Sequence, residues 1–275
     1  MAGSGAFDPD VTWYYDRGQE RDRLATTSRL ELLRTQELLD RFLPGAPGRL
    51  LDVGGGPGEY AAWLTERGYD VTLVDPVALH VEQARDRGVA SAVLGDARSL
   101  DFDDESFDAV LLLGPLYHLP DRDDRIQALR EAHRVLAPGG VVAVAVISRF
   151  ASTIDGLLKG FLKDDAFASV VATCVEDGRH ANPTRQPGWF TTAYFHHPDD
   201  VLPELRDGGF LAEGLYAIEG VGVVTPDLEG WLDDPRLRTI LLQTIRTLET
   251  EPSLLGAAGH LLAIGHKGPS LEGAG

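Results

Sequence analysis

The stretch LLDVGGGPGEYAAWL, residues 50–64, decides the fold. An apolar run ends in Asp52. Gly54, Gly56 and Gly58 follow at alternate positions, and a helix-forming segment with Tyr60, Trp63 and Leu64 on one face begins after them. Glycines between a strand and a helix let the backbone turn tightly and approach a ligand at the helix N-terminus. The dinucleotide fingerprint G-x-G-x-x-G would need its third glycine at residue 59, which is Glu59. The spacing here is G-x-G-x-G, which suits a nucleoside with no pyrophosphate to cradle.

The alternation spreads outward from this turn. Arg49–Val53, Asp70–Asp75, Ala92–Leu94, Phe107–Leu113 and Val141–Ile147 read as strands, and helices are expected around Tyr60–Leu64 and over Val77–Arg87 and Asp123–Leu136. The strand segments are β-branched and leucine-rich without polar alternation, as in strands covered on both faces. Strand and helix in strict succession predict a parallel sheet with right-handed crossovers. Upstream, Arg17–Leu43 reads as one amphipathic helix carrying Leu24, Leu32, Leu39, Phe42 and Leu43, stopped by Pro44 and Gly45. Downstream, residues 150–182 read as amphipathic helix with Ile154, Leu157, Leu158, Phe161 and Leu162 on its apolar face. Pro198–Asp207 reads as a further helix, Leu211–Val224 and Leu261–His266 as strands, Arg236–Leu248 as a helical insert, and the tail from Gly268 as disordered. The fold class is α/β, a doubly wound, mostly parallel seven-stranded sheet. Its expected parts are an N-terminal helical cap (1–45), a ligand-binding core (46–148), a helical insert (149–195) and a segment completing the sheet (196–268).

The net charge is −18 and the pI about 4.7, so a phosphate backbone would be repelled; nucleic acid is not an expected partner. No apolar run reaches membrane-spanning length, and the polar, acidic start MAGSGAFDPD reads as neither signal nor transit peptide. The expected location is the cytoplasm, with no membrane partner and a homodimer as an option. Cys174 stands alone, which excludes an internal disulfide and a multi-cysteine metal site. Arginine outnumbers lysine heavily, the lysines being Lys159, Lys163 and Lys267, which suggests a high-GC bacterial source.

Four elements fall at carboxyl ends of the expected parallel strands, where open α/β sheets bind ligands. They are the glycine loop, Asp75, Asp96 in GDARSL, and LGPLYHL at residues 113–119. A carboxylate at the position of Asp75 can accept from both hydroxyls of a ribose. With VTLVDP, FDAVLLLGPLYHL and EAHRVLAPGG, these motifs resemble, in order and spacing, the class I S-adenosylmethionine-dependent methyltransferases, in their small-molecule bacterial branch. The resemblance is strong over residues 46–148 and weaker at the N-terminal helix and the final strands. It implies that S-adenosylmethionine is the cofactor and S-adenosylhomocysteine the product. By the same resemblance Gly54, Gly55 and Gly56 line the cofactor, Asp75 with Pro76 takes the ribose, Asp96 and Ala97 the adenine, and Leu113 and Gly114 the methionine portion. Tyr14 and Tyr15 belong to a cap folding over the cofactor, and Tyr15 is the one assigned to it.

What remains is the acceptor side. Asp52 reads as structural, bonded to the amides of its own loop. His118 is the first candidate for a general base, because it follows the strand that presents the methyl group; His196, behind Tyr194 and Phe195, is the second. His80, one helical turn after Asp75, reads as a surface residue with a place near the adenine as the alternative. His133 and His180 read as surface or loop residues, His260 and His266 flank the last strand, and His197 reads as a helix N-cap. Arg29 and Arg34 are candidates for the cofactor carboxylate against a solvated helix face. No metal-binding cluster stands out. Trp13, Tyr14, Phe161, Phe167, Trp189, Phe190, Tyr194 and Phe195 favour a small apolar or aromatic acceptor, in natural-product tailoring. The alternatives are an S-adenosylmethionine-binding enzyme doing non-transfer chemistry and a non-catalytic partner subunit.

Overall fold

The computed structural model describes residues 9–269 apart from residues 16, 19 and 187, so most of the tail expected to be disordered lies outside the described residues. Nine strands are described: β1 (Arg49–Val53), β2 (Asp70–Asp75), β3 (Ser91–Leu94), β4 (Phe107–Leu112), β5 (Leu136–Ile147), β6 (Arg179–His180), β7 (Ala193–Tyr194), β8 (Leu211–Ala217) and β9 (His260–His266). Seven form one sheet in the order β3-β2-β1-β4-β5-β9-β8, while β6 and β7 pair in a separate ribbon. The first five strands of that order are mutually parallel, and β9 runs antiparallel to both β5 and β8. This is the doubly wound, mostly parallel seven-stranded sheet the sequence predicts.

Side-chain alternation sorts the core into two layers. Leu51, Val53, Val110, Leu112, Val142, Val144 and Val146 point to one face, covered by the helices Arg122–Val135 and Pro198–Asp207. Leu50, Ala109, Leu111, Ala143 and Ala145 point to the other, covered by Arg29–Phe42, Glu59–Glu66 and Ala78–Asp86. Asp52 lies on the second face between these apolar neighbours and is completely buried.

Three expectations are corrected. The helix expected over Arg17–Leu43 is three pieces, Pro9–Tyr15 lying upstream of the expected start, then Arg23–Thr26 and Arg29–Phe42. The hydroxyls of Thr26 and Thr27 bond back to the carbonyls of Asp22 and Arg23, and Ser28 N–H also turns back to Arg23, so the chain breaks there. The helix over residues 150–182 breaks at Gly160, whose φ of +76° suits only the left-handed region, and restarts at Asp165–Asp177 with Asp164 as N-cap. The break leaves Leu157 and Leu158 exposed rather than on a buried face. Finally, β8 stops at Ala217 and the chain turns through a 3-10 segment, Gly220–Val224.

Candidate functional site

At the carboxyl edge of the parallel strands lies an open cavity of about 1180 Å3. Gly54, Gly55, Gly56, Asp75, Pro76, Asp96, Ala97, Leu113, Gly114 and Tyr15, all the residues expected at the cofactor, line it together with His118. Gly54 and Gly55 are packed too tightly for any side chain. A Cβ on Gly54 would meet Pro115 at 2.8 Å, and one on Gly55 would meet the Asp52 carboxylate at 2.6 Å. A Cβ on Gly56 would meet nothing within 4 Å, so the loop presents bare backbone to free space at that point.

The carboxylates here differ sharply. Asp75 accepts from Gly56 N–H and Val77 N–H, each at 2.9 Å, and lies 3.1 Å from Nδ1 of His80. It therefore organises the loop as well as facing the cavity, and His80, expected at the surface, is buried beside it. Asp96 is gripped by Arg98, with Nη2 at 2.6 Å from Oδ2; burial would raise its pKa, but these bonds hold it below the usual carboxylate range. Asp52 bonds no loop amide, contrary to expectation, and neither of its oxygens has a hydrogen-bond partner among the described residues. Burial first, then the nearby Asp75, push its pKa up to about 7. The other acids of the lining are largely balanced, Glu20 and Glu31 by Arg23, Glu59 by Arg87 and Asp96 by Arg98. It is the orphaned Asp52, beside Asp75, that fits a positively charged occupant.

A second cavity, of about 1670 Å3, adjoins the first. Tyr14, Phe161, Phe167, Trp189, Phe190 and Phe195 of the expected aromatic set line it. Trp13 does not; it stacks under Arg17 and Arg185. Tyr194 does not either, lying under Arg125 at 3.8 Å. Tyr15, Glu20, Arg23, Glu31, Tyr117 and His260 line both cavities and so form the neck between them.

A family model described as "Methyltransferase domain" matches residues 51–144. The chain carries a class I S-adenosylmethionine-dependent methyltransferase domain. Methyltransferase GfsG of Streptomyces halstedii is 33% identical over 194 residues, covering 62% of this chain and 66% of that protein. The 27-O-demethylrifamycin SV methyltransferase of Amycolatopsis mediterranei is 39% identical over 122 residues, 40% of this chain and 44% of that protein. The chain thus spans just under two thirds, or less than half, of the length of these curated relatives. Among solved structures, the 1,6-didemethyltoxoflavin-N1-methyltransferase of Burkholderia thailandensis with bound 1,6-didemethyltoxoflavin and S-adenosylhomocysteine superposes with a TM-score of 0.57 at 18% identity, covering 94% of this chain and 86% of that one. The cofactor of the domain is S-adenosylmethionine, which carries a sulfonium cation.

The histidines of the methyltransferase domain and its flanking segments sort by position. His118 follows β4, in the 3-10 turn Pro115–His118. Its Nε2 is 2.7 Å from the Tyr15 hydroxyl, and burial lowers its pKa to about 4 despite a backbone bond to Thr192. That ring is a neutral, occupied packing element of the cofactor cavity and a weak base. His196 is placed elsewhere than expected. It lines neither large cavity and is buried on the opposite face of the sheet, against Val144 and Val146 and 3.4 Å from Glu204. Glu204 in turn holds Arg125 at 2.6 Å, so His196 belongs to a structural ion cluster. Arg34, a candidate for the cofactor carboxylate, is fully buried and tied to Glu249 at 2.5 Å. Arg29 sits at the second cavity, paired with Glu229 and Asp233. His180, expected in a polar loop, is buried and stacked on Phe195 at 4.9 Å, while His197 caps its helix as expected.

The residues missed from sequence are the charged ones of the neck, Glu20, Arg23, Glu31 and His260, and Glu219 beside them. His260 Nδ1 lies 2.6 Å from Glu219 Oε1, and Glu219 Oε2 accepts the His260 backbone N–H at 2.9 Å. Glu31 is bridged to Arg23 at 2.7 and 3.2 Å, and Arg23 also reaches Glu20 at 2.6 Å. Burial would raise the Glu31 pKa, but Arg23 and His260 bring it down to about 2. Donor atoms of Glu31, Glu219 and His260 lie within 4.8 Å of one another, a spacing a cation could use. Both carboxylates are already engaged, by Arg23 and by His260, which makes the group an internal ion cluster.

Proposed function

We propose that this protein transfers the methyl group of S-adenosylmethionine to a hydroxyl of a small apolar or aromatic molecule, in natural-product tailoring. The observation that carries this reading is the pairing of two cavities joined at one neck, one at the glycine loop with the unpartnered Asp52 in its wall, the other an aromatic chamber. The relative named 27-O-demethylrifamycin SV methyltransferase, whose name puts the methyl group on an oxygen, supports a hydroxyl as acceptor.

The bound cofactor supplies an activated methyl on a good leaving group. What is left to the protein is alignment and exclusion of water. Asp75 would hold the ribose hydroxyls with the lone pairs its loop bonds leave free, Ala97 and Asp96 would border the adenine, and Leu113 and Gly114 the methionine portion. Asp52 would face positive charge. The aromatic walls would hold the acceptor by its apolar body, leaving its hydroxyl at the neck.

Incubation with methyl-labelled S-adenosylmethionine and a panel of hydroxylated aromatic and macrocyclic compounds should move label into the organic phase. Ala151→Trp, which fills the chamber from a residue lining it, should abolish that transfer while S-adenosylhomocysteine binding stays unchanged. Transfer into tRNA or protein instead, or an Ala151→Trp variant with full activity, would refute the reading.

A further inference from the structure

We propose that His260, oriented by Glu219, is the group that takes the proton from the acceptor hydroxyl. The inference rests on the acceptor chamber proposed above and adds the residue that works there. Its basis is geometric. His260 is the first residue of the antiparallel strand β9 and pairs with Ile147, the last residue of β5. An antiparallel strand begins where its parallel neighbour ends, so this imidazole is delivered to the carboxyl edge of the sheet. It lines both cavities. With Nδ1 committed to Glu219, Nε2 is the nitrogen left for an acceptor. A carboxylate behind the far ring nitrogen fixes the tautomer and stabilises the imidazolium that forms.

The charges facing this ring come from three other segments. Glu219 follows β8, Glu31 stands on the helix Arg29–Phe42, and Arg23, on Arg23–Thr26, opposes them while pairing with both Glu31 and Glu20, which also lines the neck. Burial acts to lower the imidazole pKa, but Glu219 and Glu31 outweigh it and raise it to about 9. At neutral pH the ring therefore carries a proton that it first yields to solvent. The imidazole then accepts the hydroxyl proton at Nε2. As it does, an oxygen lone pair forms the new bond to the methyl carbon, the carbon–sulfur bond breaks, and its electron pair stays on sulfur. His118, with its Nε2 occupied and its pKa near 4, is the weaker base by far.

Two readouts test this, with 4-nitrophenol as the probe. In protein loaded with S-adenosylhomocysteine, phenolate absorbance of bound 4-nitrophenol should appear at a pH at least one unit below that of the free phenol, because the imidazolium holds the oxyanion. His260→Gln should remove that displacement. In protein loaded with S-adenosylmethionine, methyl transfer to 2-naphthol, neutral at the assay pH, should rise about tenfold per pH unit towards pH 9 in the wild type. His260→Gln should lower it about a hundredfold or more and flatten the profile. Glu219→Gln keeps an acceptor for the backbone N–H, guarding against misfolding, and should move the rise towards the ordinary histidine range. S-Adenosylhomocysteine should still bind both variants, its affinity changing far less than turnover. Equal phenol ionisation in wild type and His260→Gln, or naphthol transfer within a fewfold of wild type, would overturn the role of His260 alone. Failure of 4-nitrophenol to bind the loaded wild type would remove the acceptor chamber, and this inference with it.

Discussion

Asp52 offers the sharpest quantitative test, because one side chain should set both the stability of the free protein and its hold on the cofactor. It is completely buried on β1, its oxygens have no hydrogen-bond partner among the described residues, and its pKa is pushed up to about 7. In the unfolded chain an aspartate titrates near 3.9. Because the folded pKa is the higher one, the native state binds more protons than the unfolded state between about pH 4 and 7, and stability at this site falls as pH rises through that window. Three units correspond to roughly 4 kcal/mol, reached in full above pH 7. Asp52→Asn cannot ionise, so the variant should be more stable than wild type at pH 8 by up to about that amount, with the difference shrinking towards pH 4. Denaturant melts of both proteins at pH 4, 6 and 8 read this directly.

The same residue should couple the cofactor to protons. A cation beside Asp52 favours its ionised form, so binding at pH 7, where the free carboxyl is half protonated, should release about half a proton. Calorimetry in two buffers of different ionisation heat measures the release. Asp52→Asn should abolish it and weaken S-adenosylmethionine binding by tenfold or more. Equal pH dependence of stability in both proteins, with no proton release on binding, would show that the carboxylate is solvated or partnered and refute the reasoning.

Asp75→Ala should weaken S-adenosylhomocysteine binding at least tenfold by calorimetry, since it removes the proposed ribose partner and also the acceptor for Gly56 and Val77 N–H; a wild-type Kd would contradict this. His196→Ala should cost about 1–3 kcal/mol in denaturant melts, by disturbing the Glu204–Arg125 cluster, and leave methyl transfer by the folded fraction unchanged; a selective loss of turnover would restore it as a site residue. Removing residues 1–28 should leave a folded protein with weaker cofactor binding, because Tyr15 and Arg23 leave the cavity wall. Removing residues 1–43 should prevent folding, because it also takes Leu38, Leu39 and the buried Arg34 out of the core, as circular dichroism of the two truncations would report.

The gathering of the glycine loop, Asp75, Asp96 and residues 113–114 around one cavity is legible in the sequence because each of these parts is local. A glycine loop between an apolar strand and a helix, and an aspartate ending the next apolar run, are single-segment features, and the parallel-sheet rule puts them on one edge without any knowledge of packing. The acceptor side is not local. Glu31 and Arg23 meet only because the threonine-rich stretch at residues 26–28 breaks the long helix that hydrophobic period alone predicts. His196 shows the opposite limit. Its backbone does reach the expected edge, bridging to Ser148, but the two-residue period of extended chain turns its side chain to the far face, among Val144, Val146 and Leu205. His260 was dismissed as a strand flank because apolar runs reveal strands and not their direction. Once β9 is known to run antiparallel, its first residue must lie beside the last residue of β5, and the histidine before LLAIG is placed at the carboxyl edge of the sheet. In a mostly parallel sheet with one reversed strand, the amino-terminal residue of that strand is where a missed site residue is to be sought.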